Sequence, residues 1–197
     1  MKINFHPDRP KLEARLKALA QGLDSDFKGE LFRFINPTYS KSADIISGQG
    51  AIYVEGRWNL AGAARLSYTA MATTTALFEV LAHVKYYNLP ESKALPRVLV
   101  AVKLSATRVL DLRKGEIRKA LRLSERTIRK LDWRAENRKG LEALTQAWGW
   151  AFANAGFGAV IVPSAADLVG ANVLVFPENL LPGNEWRVLT EVQYPRI

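Results

Sequence analysis

The sequence predicts a single compact domain of the α/β (α+β) class, and three observations lead there. Segments of helical and strand periodicity alternate along 197 residues, with no internal repeat and no low-complexity linker. The composition, 48% hydrophobic and 24% charged, is that of an ordinary globular protein. Cysteine is absent, so a core of ordinary size, which a chain this long can bury, must hold the fold without disulfides.

The elements follow in order. Leu12, Leu16, Leu19 and Leu23 recur at helical spacing behind Pro10, predicting a helix over Arg9 to Leu23 in an N-terminal extension, residues 1–29. Residues 30–197 form the main domain. Glu30 to Ile35 alternates and ends at Asn36-Pro37, which predicts a strand. Ser47 to Gly62 is Gly-rich and loop-like, and Leu66 to Thr69 is short and extended. Thr73 to Tyr87 is a helix whose stripe of Leu77, Val80, Leu81 and Val84 is expected to face the core. Pro96 to Leu104 is a β-branched core strand, and Val109 to Leu112 is expected to continue the sheet as a separate run. Two short basic helices, Lys114–Leu121 and Ser124–Leu131, come next, with Ser124 as an N-cap. An apolar helix over Leu141 to Ala155 stops at Gly156. Strands are predicted at Ala159–Val162, Val173–Phe176 and Trp186–Val192.

Several chemistries are excluded. His6 and His83 are the only histidines and lack metal-ligand spacing, so no metal site is expected. There is no phosphate-binding P-loop, and Gly48-Gln49-Gly50 lacks the third glycine of a dinucleotide fingerprint. Ser164 does not lie in a nucleophile elbow. The start, Met1-Lys2-Ile3-Asn4, turns polar at once, without the apolar run of a signal peptide. Ala143 to Ala166 carries no charge and has the length of a membrane span, but Gln146, Asn154, Gly156 and Pro163 interrupt it. It reads as a buried helix and strand of a cytoplasmic protein.

The formal net charge is +9, and its source is local: Arg108 to Lys139 holds twelve Lys/Arg against five Asp/Glu. Such a run is a solvated helix face or an attractor of anionic partners.

Four features point to a site. Gly56-Arg57-Trp58-Asn59 sets a guanidinium fork beside an aromatic face between glycines. It is either a phosphate clamp with a stacking plane, or a turn with one surface Arg and one core Trp. Glu79 is the only acid from Gly56 to Pro90. It lies opposite the leucine–valine stripe, among Ala72, Thr75, Ala76, Ala82 and His83, and is either an isolated exposed acid or a carboxylate that something approaches. Ser164 follows the apolar strand at Val162-Pro163, as a turn serine or a rigidly held site residue. Arg33 alternates with Phe32 and Phe34 and needs a partner if half-buried: Glu79, a ligand phosphate, or water.

The order F-R-F at 32–34, G-R-W-N at 56–59, L-S-Y-T-A at 66–70, A-L-F-E at 76–79 and V-P-S-A at 162–165 resembles the RES-domain family. The resemblance runs from Leu31 to Pro177, with D-W-R at 132–134 a further landmark. Phe34 departs from the tyrosine common in the family, and its C-terminal asparagine–proline element is represented only by Asn172 and Val175-Phe176-Pro177.

The resemblance implies an ADP-ribosyltransferase-like core of short strands flanked by helices, in the toxin of a type II toxin–antitoxin pair that consumes NAD⁺. It implies catalytic Arg33, Glu79 and Ser164, and substrate contacts from Arg57, Trp58, Asn59 and Tyr68. NAD⁺ is then the substrate and no cofactor or metal is required. Expected partners are a helix-turn-helix antitoxin, DNA only through that antitoxin, and further copies in a homo- or hetero-oligomer, with no membrane. In that scheme Glu79 stabilises positive charge on the ribose, and Arg33 and Arg57 bind the diphosphate. Tyr68 and Trp58 stack near the nicotinamide, and Ser164 bonds a ribose hydroxyl, the amide, or Glu79. Water, phosphate or a protein side chain is the acceptor. The rival reading is a basic nucleic-acid-binding module without enzymatic activity, built on the Arg108–Lys139 run.

Overall fold

A computed structural model describes residues 3–193; the side chains of Leu19, Ala20, Gln21, Leu23 and the residues from Thr190 onward lie outside the described set. The chain folds as one mixed α/β unit of eight helices and six strands among the described residues. Helix α1 spans Arg9–Leu23, with proline in its first turn. Leu12 and Leu16 bury in the same cluster as Trp148 and Phe152, so α1 shares the core of the domain. A buried bidentate pair, Arg9 Nη2 to Glu142 at 2.6 Å and Nε at 2.7 Å, fastens its start.

Strand β1 runs over Asp24–Ile35, starting well before the predicted Glu30. Its first half is polar and exposed, so hydrophobic patterning does not mark it. Its partner does: β3, over Val98–Asp111, pairs antiparallel with β1 from Asp24↔Leu110 to Ile35↔Val98. The two β-branched runs expected as separate strands are therefore one, buried at every second position through Ala106. The other edge of β3 is divided. Strand β6, Glu185–Gln193, takes Val98 to Ser105, and β4, Ala159–Pro163, runs parallel to Val109–Asp111. Strand β5, Ala171–Val175, pairs with β4 and with β2, Ser67–Ala70, which meets β1 at Phe32↔Ala70. The pairings β1–β2–β5–β4–β3–β1 thus close a circuit, with β6 attached outside it.

The two faces of this circuit carry separate cores. Leu31, Val100, Val102, Ile161 and Val173 point to the inner face. On the outer face, Val160, Val162 and Leu174 meet the helices, including Trp148 and Phe152 of α8, Leu144–Asn154. The uncharged stretch is this helix and β4, and no described helix is long and apolar enough to cross a membrane.

Three differences from expectation have clear causes. Residues 47–62 are not all loop, since a short helix, α3, forms at Gly50–Tyr53; α2, Ser42–Ile46, precedes it. Helix α7, Trp133–Arg138, follows α5, Gly115–Leu121, and α6, Glu125–Lys130. Asp132 caps α7 through Ala135 N, just as Ser124 caps α6 through Thr127 N, as predicted. The third concerns α4, Thr73–Tyr86, which packs against β1, β2 and β5. The expected stripe does not fill the core: Leu77 is 42% exposed and Phe78 45%, while Thr75, Ala76 and Val84 are buried. Small side chains let the helix approach the strands closely, which turns the Glu79 side inward.

Gly149 of α8 sets the packing of the Gly56–Asn59 turn, because a Cβ there would lie 1.7 Å from the carbonyl oxygen of Trp58. Gly149→Ala is therefore expected to cost about 1–3 kcal/mol or more in urea denaturation. A variant as stable as the parent would show that this contact yields freely.

Candidate active site

Strand β4 delivers Ser164 to its end, and the serine is wholly buried, at 0% exposure. Its Oγ accepts from the backbone N–H groups of Ala166 (3.1 Å) and Asp167 (3.0 Å) and donates to Glu79 Oε1 at 2.6 Å. Asn172, on the neighbouring β5, donates its Nδ2 to the same oxygen at 2.6 Å. Among the described residues Oε2 of the half-buried Glu79 takes no donor. One carboxylate oxygen is thus fixed by two bonds, and the other keeps its lone pairs free of described donors. A hydroxyl with its proton already given to a carboxylate, and with no solvent access, is not set up as a nucleophile. Of the three hydrogen-bond roles open to Ser164, the structure shows the one to Glu79.

The loop after Ser164 is held from two sides. Arg129 of α6 donates Nη1 to the carbonyls of Ser164 and Asp167 (3.0 Å), and Nη2 to that of Leu168 (3.0 Å). Its Nε grips Glu125 at 2.8 Å. From α4, one turn before Glu79, Thr75 Oγ1 donates to Asp167 Oδ2 at 2.7 Å, and this bond holds the Asp167 carboxyl below its ordinary range. A side chain at Gly170 would meet both groups, 2.3 Å from Asp167 and 2.4 Å from Thr75, so only glycine fits.

Arg57 lies half-buried within electrostatic reach of Glu79. Burial lowers its pKa, and the charge of Glu79 opposes the shift. Its Nη1 binds the carbonyls of Ile128 (3.1 Å) and Leu131 (2.8 Å) at the end of α6. Tyr68 is close enough to feel both charges; desolvation raises its pKa, so the phenol stays neutral. Its OH accepts from Trp58 N (2.9 Å) and donates to Asn59 Oδ1 (2.8 Å).

The geometry corrects three expectations. Trp58 is 3% exposed and packs on Phe152 at 6.1 Å, so it is a core tryptophan and not a stacking plane. Asn59 is also buried, and its Nδ2 holds the carbonyls of Ala51 and Val54, both at 2.9 Å. It shapes the turn. Arg33 lies on the inner face with Leu31 and Ile35, opposite the face shared by Tyr68 and Asn172. Its Nη1 donates to Ile45 O (3.0 Å) and Ser67 Oγ (2.6 Å), and no contact joins it to Glu79. The structure therefore gathers Glu79, Ser164, Arg57 and Tyr68, but not Arg33. Sequence reasoning gave Asn172, Arg129 and the Thr75–Asp167 bond no part in the site. Of these only Asn172 left a trace, as the remnant of the family's asparagine–proline element and a polar side chain in the apolar run A-N-V-L-V.

Because the folded-state pKa of Asp167 is depressed, its contribution to stability is present above the usual value of 3.8 and is lost as pH falls through the lowered one. Asp167→Asn should therefore destabilise the protein at pH 7, with the difference shrinking as the pH drops below 3.8. Thermal midpoints across pH 2–7 measure it, and a gap independent of pH would refute the assignment.

Residues 30–195 match the family model described as RES domain. The fold is similar to a solved structure titled as the crystal structure of the M. tuberculosis MbcT–MbcA toxin–antitoxin complex, with a TM-score of 0.74, 22% identity and 94% of each chain covered. Among curated proteins no sequence matches this chain. The family model spans most of the chain, over the same segments that build the Glu79 site, and the protein belongs to the RES-domain family.

Proposed function

We propose that the protein is the toxin of a toxin–antitoxin pair and acts by cleaving NAD⁺ at the bond between nicotinamide and ribose. The observation that carries this reading is the state of Glu79: one oxygen locked by Ser164 and Asn172, the other unoccupied by any described residue, with Arg57 alongside. Family membership supports it, as does the fold's likeness to MbcT, a toxin solved with its antitoxin.

The chemistry asks little of the protein. The departing nicotinamide takes the electron pair of the C–N bond, which neutralises its ring, so no general acid is needed. Positive charge develops on the ribose, and a fixed carboxylate beside it lowers that barrier. Glu79 Oε2 supplies the charge or holds the ribose hydroxyls. Arg57 offers its Nε and Nη2, which no described acceptor takes, to the diphosphate. Water as acceptor gives ADP-ribose and a proton; phosphate gives ADP-ribose-1″-phosphate. The partner in this reading is a helix-turn-helix antitoxin, which links the complex to DNA.

The nucleic-acid-binding alternative loses part of its basis. Arg108, Arg118 and Arg129 bind backbone carbonyls, and Arg113 pairs with Asp111, so four of the twelve basic residues in the run belong to internal structure.

Incubation with NAD⁺, with and without phosphate, followed by product identification, tests the proposal. Nicotinamide release is expected. Glu79→Ala should abolish it, and Ser164→Ala and Asn172→Ala should each lower kcat about 10–100-fold by loosening the carboxylate. NAD⁺ left intact in every condition would defeat the reading, and label appearing on a protein would redirect it to ADP-ribosyl transfer.

A further inference from the structure

We propose that Arg134, rather than Arg33, is the second guanidinium of the site, and that it binds the diphosphate of the dinucleotide together with Arg57. This rests on the NAD⁺ reading above and assigns the anionic half of that substrate.

Arg134 belongs to α7, the helix opened by Asp132-Trp133, and three contacts fix it at the rim of the site. Its Nη2 donates to His83 Nδ1 at 3.2 Å, and His83 sits one helical turn beyond Glu79 on α4. Desolvation lowers the His83 pKa, with the charges of Arg134 and Arg97 adding to the effect, so the ring is neutral at pH 7 and its Nδ1 accepts. The guanidinium carbon lies 4.3 Å from the ring centroid of Trp133 and 4.4 Å from that of Tyr86. Tyr86 is in turn held by Arg138, whose Nη1 donates to its hydroxyl at 2.7 Å. Two aromatic faces and one acceptor leave the fork little rotational freedom, and that is the preorganisation a bidentate phosphate contact needs.

The charge balance around it is incomplete. Arg113, Arg118, Arg129 and Arg138 each have a carboxylate partner. Arg57 and Arg134 form no ion pair among the described residues, although Arg134 stands near enough for its charge to depress the pKa of Arg57. The Nε of Arg134 is buried without an acceptor, and no described residue takes its Nη1. Two guanidinium groups without a carboxylate hydrogen-bonded to either, within electrostatic reach of each other and of Glu79, favour an anion that takes their free donors. Arg33 also has a buried Nε without an acceptor, but its Nη1 already holds two oxygens on the inner face of the sheet, opposite the face that Tyr68 and Asn172 share.

The test uses the full chain and three probes: ADP, NAD⁺ and nicotinamide riboside, which carries the same scissile bond without the diphosphate. In calorimetry ADP should bind the wild-type protein, and Arg134→Ala should weaken it by about tenfold or more, the scale of a lost charge-assisted bond. In kinetics, Arg134→Ala should raise KM for NAD⁺ with little change in kcat, and leave kcat/KM for nicotinamide riboside at the wild-type level. A change in fold would lower both substrates together. Equal loss on both substrates, or undiminished ADP binding, overturns the assignment of Arg134 even when the wild-type protein cleaves NAD⁺. If the wild-type protein neither cleaves NAD⁺ nor binds ADP, the functional reading itself has failed. Should the riboside not be turned over, ADP affinity decides.

Discussion

The site depends on keeping one carboxylate still. Glu79 stands on a helix that is otherwise without acids on that side, and its Oε1 is fixed by donors from two adjacent strands, Ser164 after β4 and Asn172 on β5. Neither donor is long or flexible, so their positions are those of the backbone that carries them. The strands must therefore hold register, and the helix must lie close to them. Register comes from the β4–β5 pairing, in which Val162 faces Asn172 and Pro163 faces Ala171. Close approach comes from Thr75 and Ala76, small side chains where the leucines of the same helix would have kept the strands away.

A serine just beyond a strand end would ordinarily move with its loop. Here the loop is tied down by hydrogen bonds to its own carbonyls, and a residue of the basic segment makes them. Arg129 holds the carbonyl oxygens of Ser164, Asp167 and Leu168, and Arg57 holds two at the end of α6. Helix α6 thus connects the two halves of the site, its side chain reaching one half and its C-terminal carbonyls receiving the other. A guanidinium suits this work because its donors lie in a fixed plane and remain charged when partly buried. Positive charge at a helix C-terminus is also favoured by the local dipole. A net charge concentrated in residues 108–139 consequently reflects internal wiring as well as any external field.

Much of the fold was legible because long periodic segments leave little choice. The limits of α1 fall where Pro10 and the leucine spacing put them, and β3 and α8 were evident from β-branched and apolar runs. What was illegible was whatever depended on a partner. The first half of β1 looks polar, and only the opposite strand makes it a strand. Helix α4 is rotated from the face its leucines suggest: Val84 still buries, but Thr75 and Ala76 join it because only small side chains let the helix come close enough to carry Glu79 to its donors. In the site, Glu79 and Ser164 were recognisable by resemblance, whereas Trp58 and Asn59 belong to the core and the turn. Their burial follows from Gln146, which reaches from α8 to the carbonyls of Gly56 and Asn59.

Arg33 shows how little adjacency in a motif says about adjacency in space. Strand alternation puts it on the inner face, one residue out of phase with the face that Tyr68 and Asn172 share. Burial lowers its pKa to about 10, so it remains charged at neutral pH without a carboxylate partner among the described residues. Such a charge is costly unless its hydrogen bonds are needed. They are needed here because β2 meets β1 at a single residue pair, Phe32 with Ala70. The bonds from Arg33 to Ser67 Oγ and to Ile45 O supply the cross-connection that the backbone ladder lacks, and they anchor the residue immediately before Tyr68. On this view the arginine serves the site through the strand that carries Tyr68, and loss of function on its removal would say nothing about contact with substrate.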